Sequence, residues 1–210
     1  MPKSRKRQYV SELRNQAADV TKSRVLNAAK SLFVRHGIDG VTIAQIAGKA
    51  GVATSTIYAL YKSKDGILRG LMTAALFGSR FQEAQAQLEG VTDPVRLVML
   101  SAHVARAIYE GESAELRLMR GASAFSPALR KLEQEFEKIR FEMQEERIRL
   151  LFAQSRQRSG LELDDARRIL WMYTSRDVYR MMVHEGGWTP DRYQQWLSDT
   201  LVHALVGPVG

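Results

Sequence analysis

Residues 42–68 read TIAQIAGKAGVATSTIYALYKSKDGIL, and this stretch decides the fold. Thr42 is placed to N-cap a helix, its hydroxyl accepting from a free backbone N–H of the first turn. Ile43, Ile46 and Ala47 follow at the i, i+3, i+4 spacing of one buried helical face. Gly51 stands where that helix must stop, since glycine takes the left-handed conformation of a helix end without steric cost. Val52 and Ile57 can fill the angle to a second helix, on which Thr54, Ser55, Thr56 and Tyr58 stay small or polar and available for contact. Two short helices about a glycine turn make a helix-turn-helix, whose second helix enters the DNA major groove. The stretch therefore predicts a head that reads DNA.

Immediately upstream, residues 22–36, KSRVLNAAKSLFVRH, form an amphipathic helix with Val25, Leu26, Ala29, Leu32 and Phe33 on its apolar face and Gly37 at its end. It would pack on the two motif helices as a three-helix head over residues 21–66. Residues 1–20 divide into a basic arm, Lys3, Arg5, Lys6 and Arg7, and a VSELRNQAAD segment of helical composition. Such an arm can lie along phosphates or in a minor groove, or simply be solvated. Charge follows the same division. Up to Arg69 there are 13 Lys/Arg against 4 Asp/Glu, a net of +9, while the rest holds 18 against 19, a net of −1. The whole positive excess of +8 thus lies with the motif, as a phosphate-facing end requires.

Downstream the pattern stays helical, and residues 67–210 are expected to form a second, helical domain. A helix is expected from 65 to about 89 through Ile67, Leu68, Leu71, Met72, Ala75 and Leu76. Asp93-Pro94 starts another, running to Tyr109 and closed by Gly111. A short helix near 112–121 precedes Ser126-Pro127, which opens a long one. On it Leu129, Leu132, Phe136, Ile139, Met143 and Leu150 make an apolar stripe with one polar break, Arg147. Residues 164–185 carry too many apolar positions for a single buried face, so that helix must cover two surfaces. Thr189-Pro190 begins the last helix with an N-cap and an N1 proline. The fold class is all-α.

Composition excludes several functions. The chain of 210 residues has no cysteine, so disulfides, thiolate nucleophiles and Cys-ligated zinc are ruled out. His36, His103, His184 and His203 show no metal-ligand spacing, and no nucleophile elbow, phosphate loop or dinucleotide fingerprint occurs. The Asp164-Asp165 pair fits the positive end of a helix dipole without invoking catalysis. No enzyme, no metal and no cofactor is expected. No apolar run reaches the roughly 20 residues of a membrane helix, and the basic N-terminus lacks the apolar core of a secretory signal. A cytoplasmic protein without membrane contact is the expectation.

With these residues in place, the chain resembles the TetR family of transcriptional regulators. The match runs from Arg24 to Leu68: R-V-L-N-A-A-K-S-L-F, a glycine, T-x-x-x-I-A, A-G-V, T-I-Y and Y-K-S-K-D-x-I-L. It covers about a fifth of the sequence. The resemblance implies that Thr42, Tyr58 and Lys64 bind phosphates of double-stranded DNA and that Arg24 reaches the backbone as well. Thr54, Ser55 and Thr56 would stand at the base-facing end of the recognition helix. Tyr61 replaces the usual phenylalanine and is expected in the core. Three departures stand out: Ala53 for the usual serine cap, Ser55 for a frequent glycine, and Leu60 for a phosphate-contacting tyrosine or histidine.

The resemblance further implies a repressor acting as a homodimer on a palindrome, released when an unidentified small-molecule effector tilts the head through the helix after Lys64. Phe77, Phe81, Met99, His103, Arg106, Tyr109, Arg117, Phe125 and Phe136 are candidate pocket residues, although aromatics and methionines at helical spacing also fit a plain core. Trp171, Tyr179, Met182, Trp196 and Leu201 are candidates for the dimer interface in a four-helix bundle, some of them necessarily facing the protomer's own core. The competing expectation is a helical architectural or partner-controlled DNA-binding factor with no ligand.

Overall fold

The computed structural model describes residues 3–112 and 127–208, of which 3–16 and 128 are described by their backbone alone. The chain order is α1 (Lys3–His36), α2 (Ile43–Ala50), α3 (Thr54–Tyr61), α4 (Lys64–Leu76), α5 (Ser79–Ala86), α6 (Pro94–Glu110), α7 (Pro127–Met143), α8 (Glu145–Ala153), α9 (Leu163–Tyr173) and α10 (Arg176–Tyr179), which runs into a π-helical turn (Arg180–Glu185) before α11 (Pro190–Leu205). Among the described residues, extended pairing is limited to an isolated antiparallel bridge between Gln157 and Val206. The all-α expectation holds. No helix among the described residues is long and apolar enough to cross a membrane.

The described residues up to Ala74 together with 127–129 form one compact unit, and those of 75–112 and 130–208 form another. In the first, α1 packs on α2 and α2 on α3. Val25, Ala28, Ala29 and Phe33 of α1 are buried with Ile46, Ala47 and Ala50 of α2, Ile57 of α3, and Ile67, Leu68, Leu71 and Met72 of α4. α3 contributes Ile57 alone to this core, which leaves most of its surface outward. In the second unit α6 is central, packed by α5, α8 and α11, while α9 lies against α8 and α11. α6 buries a broad face from Leu97 to Tyr109, leaving Met99, His103 and Arg106 half-buried on the other side. Asp93 caps it, its Oδ1 accepting from Val95 N–H at 3.0 Å, with Pro94 in the first turn.

Four helices depart from the sequence expectation. α1 takes in residues expected as a separate arm, because nothing between Lys3 and His36 is a glycine or proline; Gly37 then ends it at φ +71°. The expected 65–89 helix breaks at Gly78, which is extended at φ −72°, ψ −169° and starts α5. The expected 164–185 helix breaks after Tyr173. There the Thr174 hydroxyl donates to Leu170 O at 2.7 Å, and Ser175 caps α10. The long helix after Pro127 breaks at Gln144, and its inward line is not the apolar one. Leu129, Leu132 and Phe136 are buried, but Ile139 and Met143 are each 38 % exposed, while Arg140, Gln144 and Arg147 turn inward with Ile148 and Leu151. The expected 112–121 helix lies almost wholly outside the described residues.

Two of the dimer candidates are corrected by burial. Tyr179 and Leu201 are 2 % and 0 % exposed, held inside the protomer's own core, so neither can meet a partner. Trp171, Met182 and Trp196 are half-buried. The exposed apolar side chains of this region are instead Met172 and Met181, at 48 % and 47 %.

Candidate nucleic-acid interface

The first motif helix is fixed at both ends. Thr42 Oγ1 accepts from Gln45 N–H at 3.2 Å, and Gln45 Oε1 accepts from Thr42 N–H at 2.8 Å. This reciprocal pair is a capping box. The Thr42-x-x-Gln45 spacing carries this signature in the sequence, beyond the threonine cap expected there. At the other end Gly51 is left-handed, φ 64° and ψ 42°, and Val52 N–H donates to Ala47 O at 3.1 Å. Arg24 closes the same end: its Nη2 donates to Ala50 O at 2.6 Å and to Gly51 O at 3.2 Å.

α3 begins without a side-chain cap, as Ala53 dictates, so its first-turn N–H groups have no side chain competing for them. Thr54 and Ser55 are exposed at that end, Thr56 is half-buried, and Tyr58 is 50 % exposed one turn further on. Leu60 is half-buried. Helix-end donors beside small hydroxyls and a phenol are what a recognition helix presents to phosphates and base edges.

The turn after α3 is tight. Lys62 sits at φ 63°, ψ −36°, and Ser63 N–H donates to Tyr61 O at 2.7 Å, a γ-turn. α4 then passes so close that a Cβ on Gly66 would lie 1.8 Å from Tyr61 O. The Tyr61 ring packs against Gly70, where a Cβ would meet it at 2.8 Å, and its hydroxyl donates to Lys22 O at 3.4 Å. Partial burial raises the Tyr61 pKa above the ordinary phenol value. Lys64, expected at a phosphate, donates from Nζ to Ile38 O at 2.9 Å and Val41 O at 3.3 Å. Two of its three donors thus tie the loop before α2 to the start of α4. Lys64 and Arg24 both serve the head's own main chain, a role that spacing alone does not reveal.

With this geometry in place, the family profile described as bacterial regulatory proteins, tetR family, matches residues 25–71. The head of this chain is thus similar to the DNA-binding head of the TetR family. An uncharacterised HTH-type transcriptional regulator of Mycobacterium tuberculosis is 40% identical over 60 residues, a stretch spanning 29% of this chain and 31% of that relative. Among solved structures, the SmeT–triclosan complex aligns at a TM-score of 0.67 and 21% identity, covering 89% of this chain and 91% of that one. NalD of Pseudomonas aeruginosa, described as the secondary repressor of the MexAB-OprM multidrug efflux pump, aligns at a TM-score of 0.67 and 20% identity, covering 90% of this chain and 97% of that one. At such identities these two likenesses concern the fold.

In the helical body that follows the head, the candidate pocket residues separate into groups. Phe77 and Phe81 meet edge to face, ring centroids 5.1 Å apart, and Phe77 lies 5.6 Å from Phe136. Phe77 and Phe81 line a small cavity shared with Gln85, Ser101, Arg140, Gln144, Arg147 and Thr174. Phe136 is buried behind them as core. His103, Arg106 and Tyr109 do not line this cavity. His103 Nδ1 is 3.4 Å from Gln194 Oε1, and Arg106 donates to Glu110 Oε2 at 2.8 Å and to Asp191. Glu110 first, then Asp191, hold the Arg106 pKa above the ordinary guanidinium value against the opposing cost of burial. Tyr109 OH donates to Thr174 O at 3.2 Å, and its ring packs on Tyr179. Met99 is half-buried and also stands outside the cavity lining. These corrections share one cause: residues 99, 103 and 106 lie on a different face of α6 from Ser101, Val104 and Ala105. Arg117 and Phe125 lie outside the described residues.

The polar half of the cavity was missed. Arg140 is neutralised, its Nε donating to Glu137 Oε2 at 3.1 Å while Nη1 donates to Trp171 O and Thr174 Oγ1, each at 2.8 Å. Arg147 is 7 % exposed and, among the described residues, donates to neutral oxygens, Ser101 Oγ at 3.1 Å and Gln85 Oε1 at 2.8 Å. Burial lowers its pKa to about 10. The usable sequence signal was the single polar break in the stripe, Arg147 itself.

Proposed function

We propose that this chain is a sequence-specific DNA-binding transcriptional repressor that acts as a homodimer on a palindromic operator and is released by a small-molecule effector. The observation that carries the reading is the exposed, uncapped start of α3. There Thr54 and Ser55 stand beside Tyr58 on a helix held from behind by Ile57. The charge division supports it, with +9 on the residues up to Arg69 and −1 on the rest. Thr54 and Ser55, with Thr56 beside them, face base edges, Thr42 and Tyr58 touch phosphates, and Lys64 and Arg24 hold the helices that present them. A head of this size reads few base pairs, so two copies one helical turn apart, about 34–36 Å, supply the specificity. The effector acts by its differential affinity for the DNA-competent and DNA-incompetent conformations. That NalD is described as a repressor, and SmeT as a triclosan complex, accords with this reading.

Selection from a random duplex pool, followed by a mobility-shift titration, tests it. A palindromic consensus bound far more tightly than its scrambled form is the expected result. Equal binding to both would favour an architectural DNA-binding factor. Native mass spectrometry of the protein purified from its host tests the effector separately, as mass retained beyond that of the chain.

A further inference from the structure

The buried polar line of α7 and α8 has a charge without a counter-charge among the described residues. Gln144 and Arg147 are 8 % and 7 % exposed, and both face the cavity that holds Phe77 and Phe81. The hydrogen-bond network fixes how Gln144 points. The Thr174 hydroxyl gives its proton to Leu170 O, so at Gln144 it must accept, which places the amide Nε2 there at 2.8 Å. Gln144 Oε1 is then left buried with no donor. Arg147 has five N–H protons and, among the described residues, two side-chain acceptors, both neutral. Burying a guanidinium is costly unless an anion accompanies it, and the neighbouring Arg140 has one in Glu137 where Arg147 has none among the described residues.

Space is available on the same side. Arg147, Gln85 and Met143 line both the small inner void, about 20 Å³, and a groove of about 600 Å³ that opens past Leu88, Leu97 and Leu150. The inner void holds about one water, whereas a groove of several hundred Å³ suits a small organic ligand. Its walls combine Leu88, Val91, Leu97 and Leu150 with two carboxylates, Glu89 and Glu146, and a second guanidinium, Arg149. A ligand with an apolar body and one acidic end would leave the body among the leucines and put its oxygens on the free guanidinium protons.

We infer that the effector is a small organic carboxylate, that Arg147 receives its carboxylate from the groove, and that Gln144 Oε1 accepts from a hydroxyl or N–H donor of the ligand or from a bridging water. This rests on the effector reading above and names the chemistry of its site.

The test uses the full chain and three acid–amide pairs: benzoate with benzamide, phenylacetate with phenylacetamide, and octanoate with octanamide. Calorimetric titration should show at least one acid binding about tenfold or more tightly than its amide, the order expected for a charge-assisted hydrogen-bonded pair. Arg147→Met should lose that preference while melting no lower than the parent, since an apolar chain of similar length removes a desolvated charge. A merely structural Arg147 would show the opposite, a lowered melting point with acid binding retained. Gln144→Glu is the second variant. By supplying an internal anion beside Arg147 it should raise the melting point and abolish acid binding. Equal binding of acids and amides, or an acid preference that survives in both variants, overturns the inference and leaves an effector reading based on neutral ligands standing. Silence from all six compounds also overturns it, and the native mass measurement then decides separately whether the body holds any ligand.

Discussion

Thr54 has no structural task in the head: it is exposed, caps nothing, and stands at the first position of α3. Thr54→Ala should therefore leave stability within about 0.5 kcal/mol, as surface substitutions generally do. It should relax the selected consensus at particular base pairs by about 1–3 kcal/mol each. Competition binding with single-base operator variants reads this directly; equal loss on random DNA would remove Thr54 from the base-reading set. Lys64 makes the opposite case. Its ammonium is tied to Ile38 O and Val41 O, so Lys64→Met should destabilise the head by about 1–3 kcal/mol in urea unfolding. The slope of log affinity against log salt should stay the same, whereas a lost phosphate contact would reduce it by about one. Sequence reading placed both residues correctly in the chain. It could not distinguish an idle hydroxyl from a lysine already occupied, because the carbonyls that occupy it lie 26 and 23 residues away.

At the scale of elements, the turn between α2 and α3 sets the angle at which the recognition helix leaves the head. Gly51 is left-handed, and a Cβ there would also come within 2.7 Å of Arg24 Nη2. Gly51→Ala should cost about 1–2 kcal/mol from the backbone conformation, with more if Arg24 is displaced from its carbonyls. Thermal unfolding followed by circular dichroism measures it, and Arg24→Ala in the same background reveals the shared part as non-additivity. This turn was legible because its signals are local: a cap, an apolar spacing and a glycine. The line of α7 and α8 was not. Hydrophobicity selected Ile139 and Met143 for the inside, and the structure turns Arg140, Gln144 and Arg147 inward instead. Polar residues on a buried face defeat any periodicity that counts only apolar ones.

Across the whole molecule, the expected homodimer needs an apolar surface that the protomer leaves open. Tyr179 and Leu201 are consumed by the protomer's core, whereas Met172 and Met181 remain about half exposed on α9 and the π-helical turn. Met172→Asp and Met181→Asp should each shift the protein toward monomer in sedimentation velocity without changing its helical content. Leu201→Asp should instead unfold it, since a charge would enter a fully buried site. A monomer of undiminished helicity should also lose most operator affinity, because one head reads too little sequence. Unchanged sedimentation of both methionine variants would place the interface elsewhere.

The sequence by itself determined the all-helical class, the helix-turn-helix with its caps, the location of the positive charge and the family resemblance, all of which rest on neighbours within a few residues of each other. Packing decided what Lys64 and Arg24 hold, which of the late aromatics are core, and that Arg147 is buried with no anion beside it among the described residues. Each of those depends on which helix faces extend toward one another. A face is chosen by the free energy of the packed set, and the pattern along any one helix does not contain it.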